Sequence, residues 1–217
     1  SGSLEVTVTD SSPWPTLLHR YTFNDPQGTT VADSVGSIHG TFHGVGTFTG
    51  SQLVMPVGNP PPLADGNPNP SAGWVSFPAG QGIVSGLPSQ ASIECWVVWR
   101  GGAVWQEIWD FGQAATPGLS LGGGSYVMVC PSDGITGALR AEWFPGGLVL
   151  TGPTVPMNVL SQIILTHDQD RQSDKLYLNG QLVDSGVNTW LWSQLPDTDN
   201  WLARDQWPDA FFNGTYE

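Results

Sequence analysis

The chain has 217 residues, 39% of them hydrophobic and 11% aromatic, with 28 Gly, 18 Pro and 11 Trp. Only 12% is charged, and 19 acids against 6 bases give a formal net charge of −13. The charge excludes the basic footprint of a protein that binds nucleic acid or an anionic membrane surface. The composition excludes a coiled coil, and its apolar and aromatic share argues for a packed core rather than disorder.

No run of 18 apolar residues exists, so membrane insertion is not expected. The chain opens on Ser1-Gly2-Ser3 without a signal-peptide pattern. Helical periodicity is weak throughout, while alternating or continuous β-branched and aromatic runs recur between Gly, Pro, Asn and Asp. In chain order the expected strands are 4–9, 17–23, 40–45, 52–55, 74–77, 91–99, 106–111 and 125–130. They continue with 138–143, 148–150, 161–168, 175–178, 181–187, 200–202 and 212–217. Short strands spaced about ten residues apart indicate an all-β, two-sheet antiparallel sandwich or jelly roll.

The clearest local signal is Asn179-Gly180, flanked by Leu176-Tyr177-Leu178 and Leu182-Val183, which suits a type I′ hairpin turn. Residues 57–73, rich in Pro, Asn and Gly, form a long loop. Cys95 and Cys130 each sit in an apolar run, either as two small buried hydrophobes or as a disulfide pair. Asn213-Gly214-Thr215 fits a glycosylation sequon and equally an Asn-Gly turn.

Four segments carry a resemblance to a known family. They are Leu18-His-Arg-Tyr-Thr-Phe-Asn-Asp25 with Gly28-Thr-Thr-Val-Ala-Asp-Ser34, Ser92-Ile-Glu-Cys-Trp-Val-Val-Trp99, and Trp105-Gln-Glu-Ile-Trp-Asp-Phe-Gly112. The fourth is Asp174-Lys-Leu-Tyr-Leu-Asn-Gly180 with Asn200-Trp-Leu-Ala-Arg204 and Phe212-Asn-Gly-Thr215. In this order they resemble the laminin-G-like, concanavalin A-like jelly-roll domains of large secreted bacterial proteins. The resemblance implies that 17–217 is one such domain, binding glycans or proteins or serving as a spacer, without catalysis. It also implies a final strand running past Glu217. Residues 1–16 are then expected to be a strand and linker, either the tail of a preceding immunoglobulin-like domain or a donor strand.

Glu107 and Asp110 invite comparison with the paired carboxylates of glucanases. Three residues apart on a strand they would face opposite sides, so the chain is expected not to be an enzyme. No nucleophile elbow accompanies His19, His39, His43 or His167. Calcium is the expected cofactor, because it takes six to eight oxygens and the turn Asp33–Gly40 offers a carboxylate and several carbonyls. The resemblance adds Glu217, giving Asp33, His39 and Glu217 as metal residues, against a reading of Asp33 as the cap of its own turn. Asp168-Gln-Asp170 and Asp197-Thr-Asp199 are second-choice acidic loops.

Trp96 and Trp99, three apart, should face opposite sides of one strand. Trp207, beside Arg204, Asp205 and Gln206, is the best candidate for stacking on a sugar, followed by Trp105 and Trp143, unless these rings plug the sandwich. Two functions follow as expectations. One is a secreted, non-catalytic module for adhesion or carbohydrate binding, with a glycan or extracellular protein as partner. The other is a structural subunit that self-associates through an open sheet edge by strand exchange, with 4–9 as donor.

Overall fold

The computed structural model describes residues 16–26 and 28–217, so the expected strand 4–9 lies outside the described residues. Strands β1 (Thr30–Val31), β2 (Gly40–Gly44), β3 (Thr47–Phe48), β4 (Leu53–Val54) and β5 (Gly73–Phe77) come first. They are followed by β6 (Gln90–Trp99), β7 (Trp109–Ala114), β8 (Gly123–Cys130), β9 (Leu139–Phe144) and β10 (Val149–Gly152). The last five are β11 (Leu160–Asp168), β12 (Ser173–Leu178), β13 (Gln181–Val187), β14 (Asp199–Leu202) and β15 (Gly214–Tyr216).

These strands form two antiparallel sheets. The eight-stranded sheet runs β1-β2-β5-β14-β7-β8-β9-β10 and the seven-stranded sheet β13-β12-β11-β6-β15-β4-β3. Alternation along each strand sends one set of side chains into the space between the sheets. Val75, Phe111, Val127, Val129, Leu139 and Ala141 enter from the first sheet, and Val97, Ile163, Leu165 and Leu176 from the second. The result is the all-β jelly-roll sandwich that the strand pattern indicated.

Asn179 and Gly180 both have positive φ, 51° and 76°, as a type I′ turn between β12 and β13 requires. Trp96 points outward and is 42% exposed, whereas Trp99 is in the core. The expected strand 17–23 makes only an isolated bridge, Tyr21 to Asp33. Its side chains nevertheless fill the sandwich, with Tyr21 against Phe77 at 4.9 Å and Phe23 against Tyr216 at 5.6 Å. Strands β1 and β3, two residues each, are too short to show any period. Cys95 and Cys130 are both free. Cys95 packs toward the core and Cys130 lies on the far face of the eight-stranded sheet, which rules out a bond between them. The Asn213 side chain is committed internally, donating to the Gly101 carbonyl at 2.9 Å and accepting from Arg100 at 3.0 Å, which favours the structural reading of that motif.

The last strand does not lie at an edge. β15 is paired on one side with β6 and on the other with β4, and the Glu217 N–H donates to the Trp96 carbonyl at 3.0 Å. β15 spans only Val97–Trp99 of β6, however. Among the described residues, Gln90–Cys95 have a ladder partner on one side alone, β11.

One polar network crosses the sandwich. Trp143, from β9, donates its indole N–H to Asp174 of β12 at 2.7 Å, and Asn188 donates to the same oxygen at 2.8 Å. His167 of β11 bonds the other Asp174 oxygen. Trp143 is 1% exposed and packs on Trp192 at 4.9 Å. Replacing Trp143 by Phe leaves a buried carboxylate without one donor and a void beside Trp192. The expected cost is about 2 kcal/mol or more, read from urea denaturation.

Candidate functional site

The face of the eight-stranded sheet turned away from the core presents His43, Trp74, Trp201, Asp110, Tyr126, Met128, Arg140, Glu142 and Phe144, each alternating with a core residue. The segment 203–211, between β14 and β15, folds back across this face. Ala203 makes the reversal in the left-handed region, with φ 65°. The Arg204 guanidinium then lies 3.7 Å from the Trp201 ring centroid and 4.4 Å from that of Trp74. It donates to Ser120 Oγ at 3.1 Å and to the Gly118 carbonyl at 2.6 Å. Burial lowers its pKa to about 10, partly offset by Asp199 and Asp110. Gln206 clasps Asp110 twice, through its backbone N–H and its side-chain amide, both at 3.0 Å. Asp205 accepts the Trp207 N–H at 2.7 Å.

Arg204 and Asp205 are therefore not presented to solvent, each being 2% exposed. Their polar groups are consumed in anchoring the segment, so their role is to position Trp207. Trp143 also falls away as a stacking ring. Its neighbours Glu142 and Phe144 point outward, and strand alternation sends it into the core.

Trp207 is 39% exposed. Its indole N–H donates to the Tyr126 hydroxyl at 3.0 Å, and its edge meets Phe144, which stacks on Tyr126 at 5.1 Å. Gly123 makes the room: a Cβ there would stand 2.2 Å from the Tyr126 ring and 2.7 Å from the Trp207 nitrogen. Along β9, Phe144, Glu142 and Arg140 follow one another on the same face, all half-buried. Glu142 Oε2 accepts from Arg140 Nε and Nη2, each at 2.8 Å, and Arg140 Nη1 lies 3.6 Å from Asp133. The Arg140 guanidinium is 5.5 Å from the Trp105 ring centroid. Trp105 is half-buried with a left-handed φ of 57°, and its ring covers Gly134, where a Cβ would clash at 2.2 Å. A bulky residue in this region marks local strain, which tends to sit at functional positions.

The structure thus joins two of the expected tryptophans, Trp207 and Trp105, into one strip through Phe144, Glu142 and Arg140. Sequence reasoning missed the middle three. The available signal was the spacing of two between Arg140, Glu142 and Phe144 on an expected strand.

Beneath the strip lies a carboxyl cluster, and here the expected geometry is overturned. The Ile108 N–H donates to the Val129 carbonyl while Trp109 is the register partner of Val129, so two residues oppose one, as in a β-bulge. Ile108 and Trp109 both enter the core, and Glu107 is brought to the same side as Asp110. Both face Asp205, and Glu107 and Asp205 share a hydrogen bond that needs a proton on one of them. Burial and then the proximity of Asp205 hold Glu107 and Asp110 well above the ordinary carboxylate range. Burial raises Asp205 to about 7, with hydrogen bonds from Glu107 and the Trp207 amide restraining the shift. None of the three is more than 3% exposed.

The calcium expectation does not fit these residues. Asp33 Oδ1 accepts the N–H groups of Arg20, Val35 and Gly36 at 3.1, 3.2 and 2.9 Å. Oδ2 accepts the Ile38 N–H at 3.2 Å and meets His19 Nδ1 at 2.7 Å. Burial alone would raise its pKa, but the bonds from His19 and these amides hold it far below the ordinary range. The turn points N–H groups at the carboxylate, as a self-capping Asp does. His39 Nδ1 accepts the Asp33 N–H at 3.0 Å, and Glu217 bonds Gln52 at the end of the other sheet. Among the described residues no group of three or more acidic, His or Cys side chains is arranged to hold a metal ion, the acidic loops included.

The carboxyl cluster sets a pH dependence. An acid whose pKa is raised by folding binds its proton more tightly in the native state, so stability falls as pH rises from the unfolded value toward the folded one. For Glu107, Asp110 and Asp205 that window runs from about pH 4 to at least 7. His43, lowered by burial and then by Arg204, works in the opposite sense below about pH 6.5. The melting temperature is expected to be several degrees lower at pH 8 than at pH 5, with a flatter profile in Glu107→Gln. Calorimetry across that range checks it.

Residues 69–217 match the family model of the concanavalin A-like lectin/glucanases superfamily, laminin-G type. No curated protein matches the sequence. Among solved structures, the chain is similar to domain 4 of AbnA, a GH43 extracellular arabinanase from Geobacillus stearothermophilus, in complex with arabinotriose. The TM-score is 0.59 at 16% identity, covering 91% of this chain and 90% of that one. It is also similar to the CBM40 of the Ruminococcus gnavus IT-sialidase, with a TM-score of 0.50 at 17% identity, covering 76% of this chain and 88% of that one. At these identities the likeness is one of fold. With the family match spanning more than half its length, the chain belongs to the concanavalin A-like lectin/glucanases superfamily.

Proposed function

We propose that this protein is a non-catalytic, extracellular carbohydrate-binding module whose binding surface is the strip from Trp207 to Trp105. The observation that carries the reading is Trp207, an indole 39% exposed and held by an anchored segment, on a strip with a largely buried Arg140–Glu142 pair whose side chains are 13% and 17% exposed. An exposed aromatic face stacks on the apolar face of a sugar ring, and the neighbouring carboxylate and guanidinium bond its hydroxyls. The arabinotriose in the arabinanase domain supports the ligand class. The extracellular setting rests on the resemblance noted above. The non-catalytic reading is supported by the closure of Glu107, Asp110 and Asp205. Glycoside hydrolysis needs a carboxyl pair that reaches the sugar, with one member ionised.

Isothermal titration against a glycan panel tests the proposal. Trp207→Ala is expected to weaken binding about tenfold or more, equivalent to ~1.4 kcal/mol, while leaving the fold intact. Binding is expected to persist in EGTA, because the acidic residues do not fit calcium. Full affinity in the Trp207 variant would overturn the assignment of the strip.

A second reading, a subunit joined by strand addition, draws on the one-sided pairing of Gln90–Cys95 among the described residues. The Glu217 bond to the Trp96 carbonyl places the even-numbered backbone groups of β6 on the open side. A strand from a second copy would bond Ser92 and Glu94 there. Light scattering after size exclusion is expected to show concentration-dependent dimers that Ser92→Pro abolishes. A monomer at all concentrations disposes of it.

A further inference from the structure

We infer that the ligand of this strip is an electrically neutral oligosaccharide, lying extended along β9 with one end on Trp207 and the other on Trp105. The inference rests on the binding reading above and narrows it in two respects, charge and length.

The charge argument follows the fate of each cation. Arg100 is spent on the Met55 and Pro56 carbonyls and on Asn213, Arg171 on Asp168, and Arg204 is enclosed between two indoles. Lys175 lies on β12 in the other sheet, and Arg20 precedes β1. Arg140 alone reaches the strip, and it is already neutralised by Glu142 and Asp133. An anionic sugar would find no free counter-charge, would compete with two carboxylates for Arg140, and would approach a chain of net charge −13. Neutral hydroxyls meet no such penalty. Glu142 Oε1 is left to accept, because the Arg140 bonds use Oε2, and the guanidinium retains N–H groups to donate.

The length argument follows from strand geometry. Arg140 to Phe144 is four residue steps, about 13 Å, and the two indoles lie beyond its ends. One sugar ring cannot touch both tryptophans, whereas a short extended chain can. The strip is a row of half-buried side chains along β9 ending on the exposed Trp207, so binding gains come from added sugar units.

Titration calorimetry with the wild-type protein reads both features. The probes are neutral arabino-, xylo- and gluco-oligosaccharides from one to six units, with sialyllactose and oligogalacturonate as anionic counterparts. In the neutral series that binds, affinity is expected to rise at least tenfold from the shortest binding member to the longest. Trp207→Ala should weaken every length, and Trp105→Ala only the longer ones. Anionic glycans should bind at least tenfold more weakly. An anionic glycan bound as tightly as the neutral ones overturns the charge assignment, and affinity independent of length overturns the extended pose. Because both are read on wild-type protein, a Trp105 variant that fails to fold leaves the test standing. Silence toward every glycan would instead remove the binding reading itself.

Discussion

A guanidinium held between two indoles is the interaction on which this outer face depends. A buried cation is tolerable only when its charge and donors are met, and Arg204 meets them with Trp74, Trp201, Ser120 and the Gly118 carbonyl. Three separate parts of the chain contribute to that site: β5, β14 and the loop before β8. Once Arg204 is seated, the residues after it have little freedom. Gln206 reaches Asp110, Asp205 caps the Trp207 amide, and Trp207 comes to rest against Tyr126 and Phe144.

The same arrangement accommodates three acids buried beneath the strip. Carboxyls that keep their protons cost far less to enclose than carboxylates, and Glu107 and Asp205 use one another as hydrogen-bond partners. The acidity of the chain therefore divides into two populations. One keeps its charge, solvated as at Asp168 with its exposed Arg171 partner or capped by amides as at Asp33, and the other is the raised cluster beneath the aromatic strip. Only the first contributes its full charge to the field that a ligand meets near neutral pH.

How much of this could be read beforehand depends on whether a feature is local. The turn at Asn179-Gly180 and the opposed faces of Trp96 and Trp99 follow from two or three adjacent residues, and both appear as expected. The sandwich class followed from the spacing of many short strands. The bulge at Ile108 and Trp109 could not be read, because it is defined by what stands opposite, a single Val129 some twenty residues away. It turned two carboxyls that strict alternation keeps apart onto one side. Arg204 and Asp205 looked like a polar loop available to a ligand, and their burial is visible only once Trp74 and Trp201 are known to be neighbours. Trp143 stands between Glu142 and Phe144, which face outward on one strand, and that alternation places it in the core. Asp33 offered calcium an acid and a turn, but the direction of the amides, toward the carboxylate, is a matter of backbone angles that residue types do not specify.

The bond from the Trp207 indole to the Tyr126 hydroxyl has a thermodynamic meaning beyond placement. An exposed side chain ordinarily loses rotamer freedom when a partner settles on it, and that loss is charged against the association. Here the ring is already immobilised, tethered at its nitrogen and braced edge-on by Phe144, and folding has absorbed the loss in advance. Under the proposed binding reading, the ordering that remains would belong to the incoming molecule and its released water, so stiffness of the ligand, more than adaptation of the protein, would govern how the enthalpy and entropy of encounter are divided.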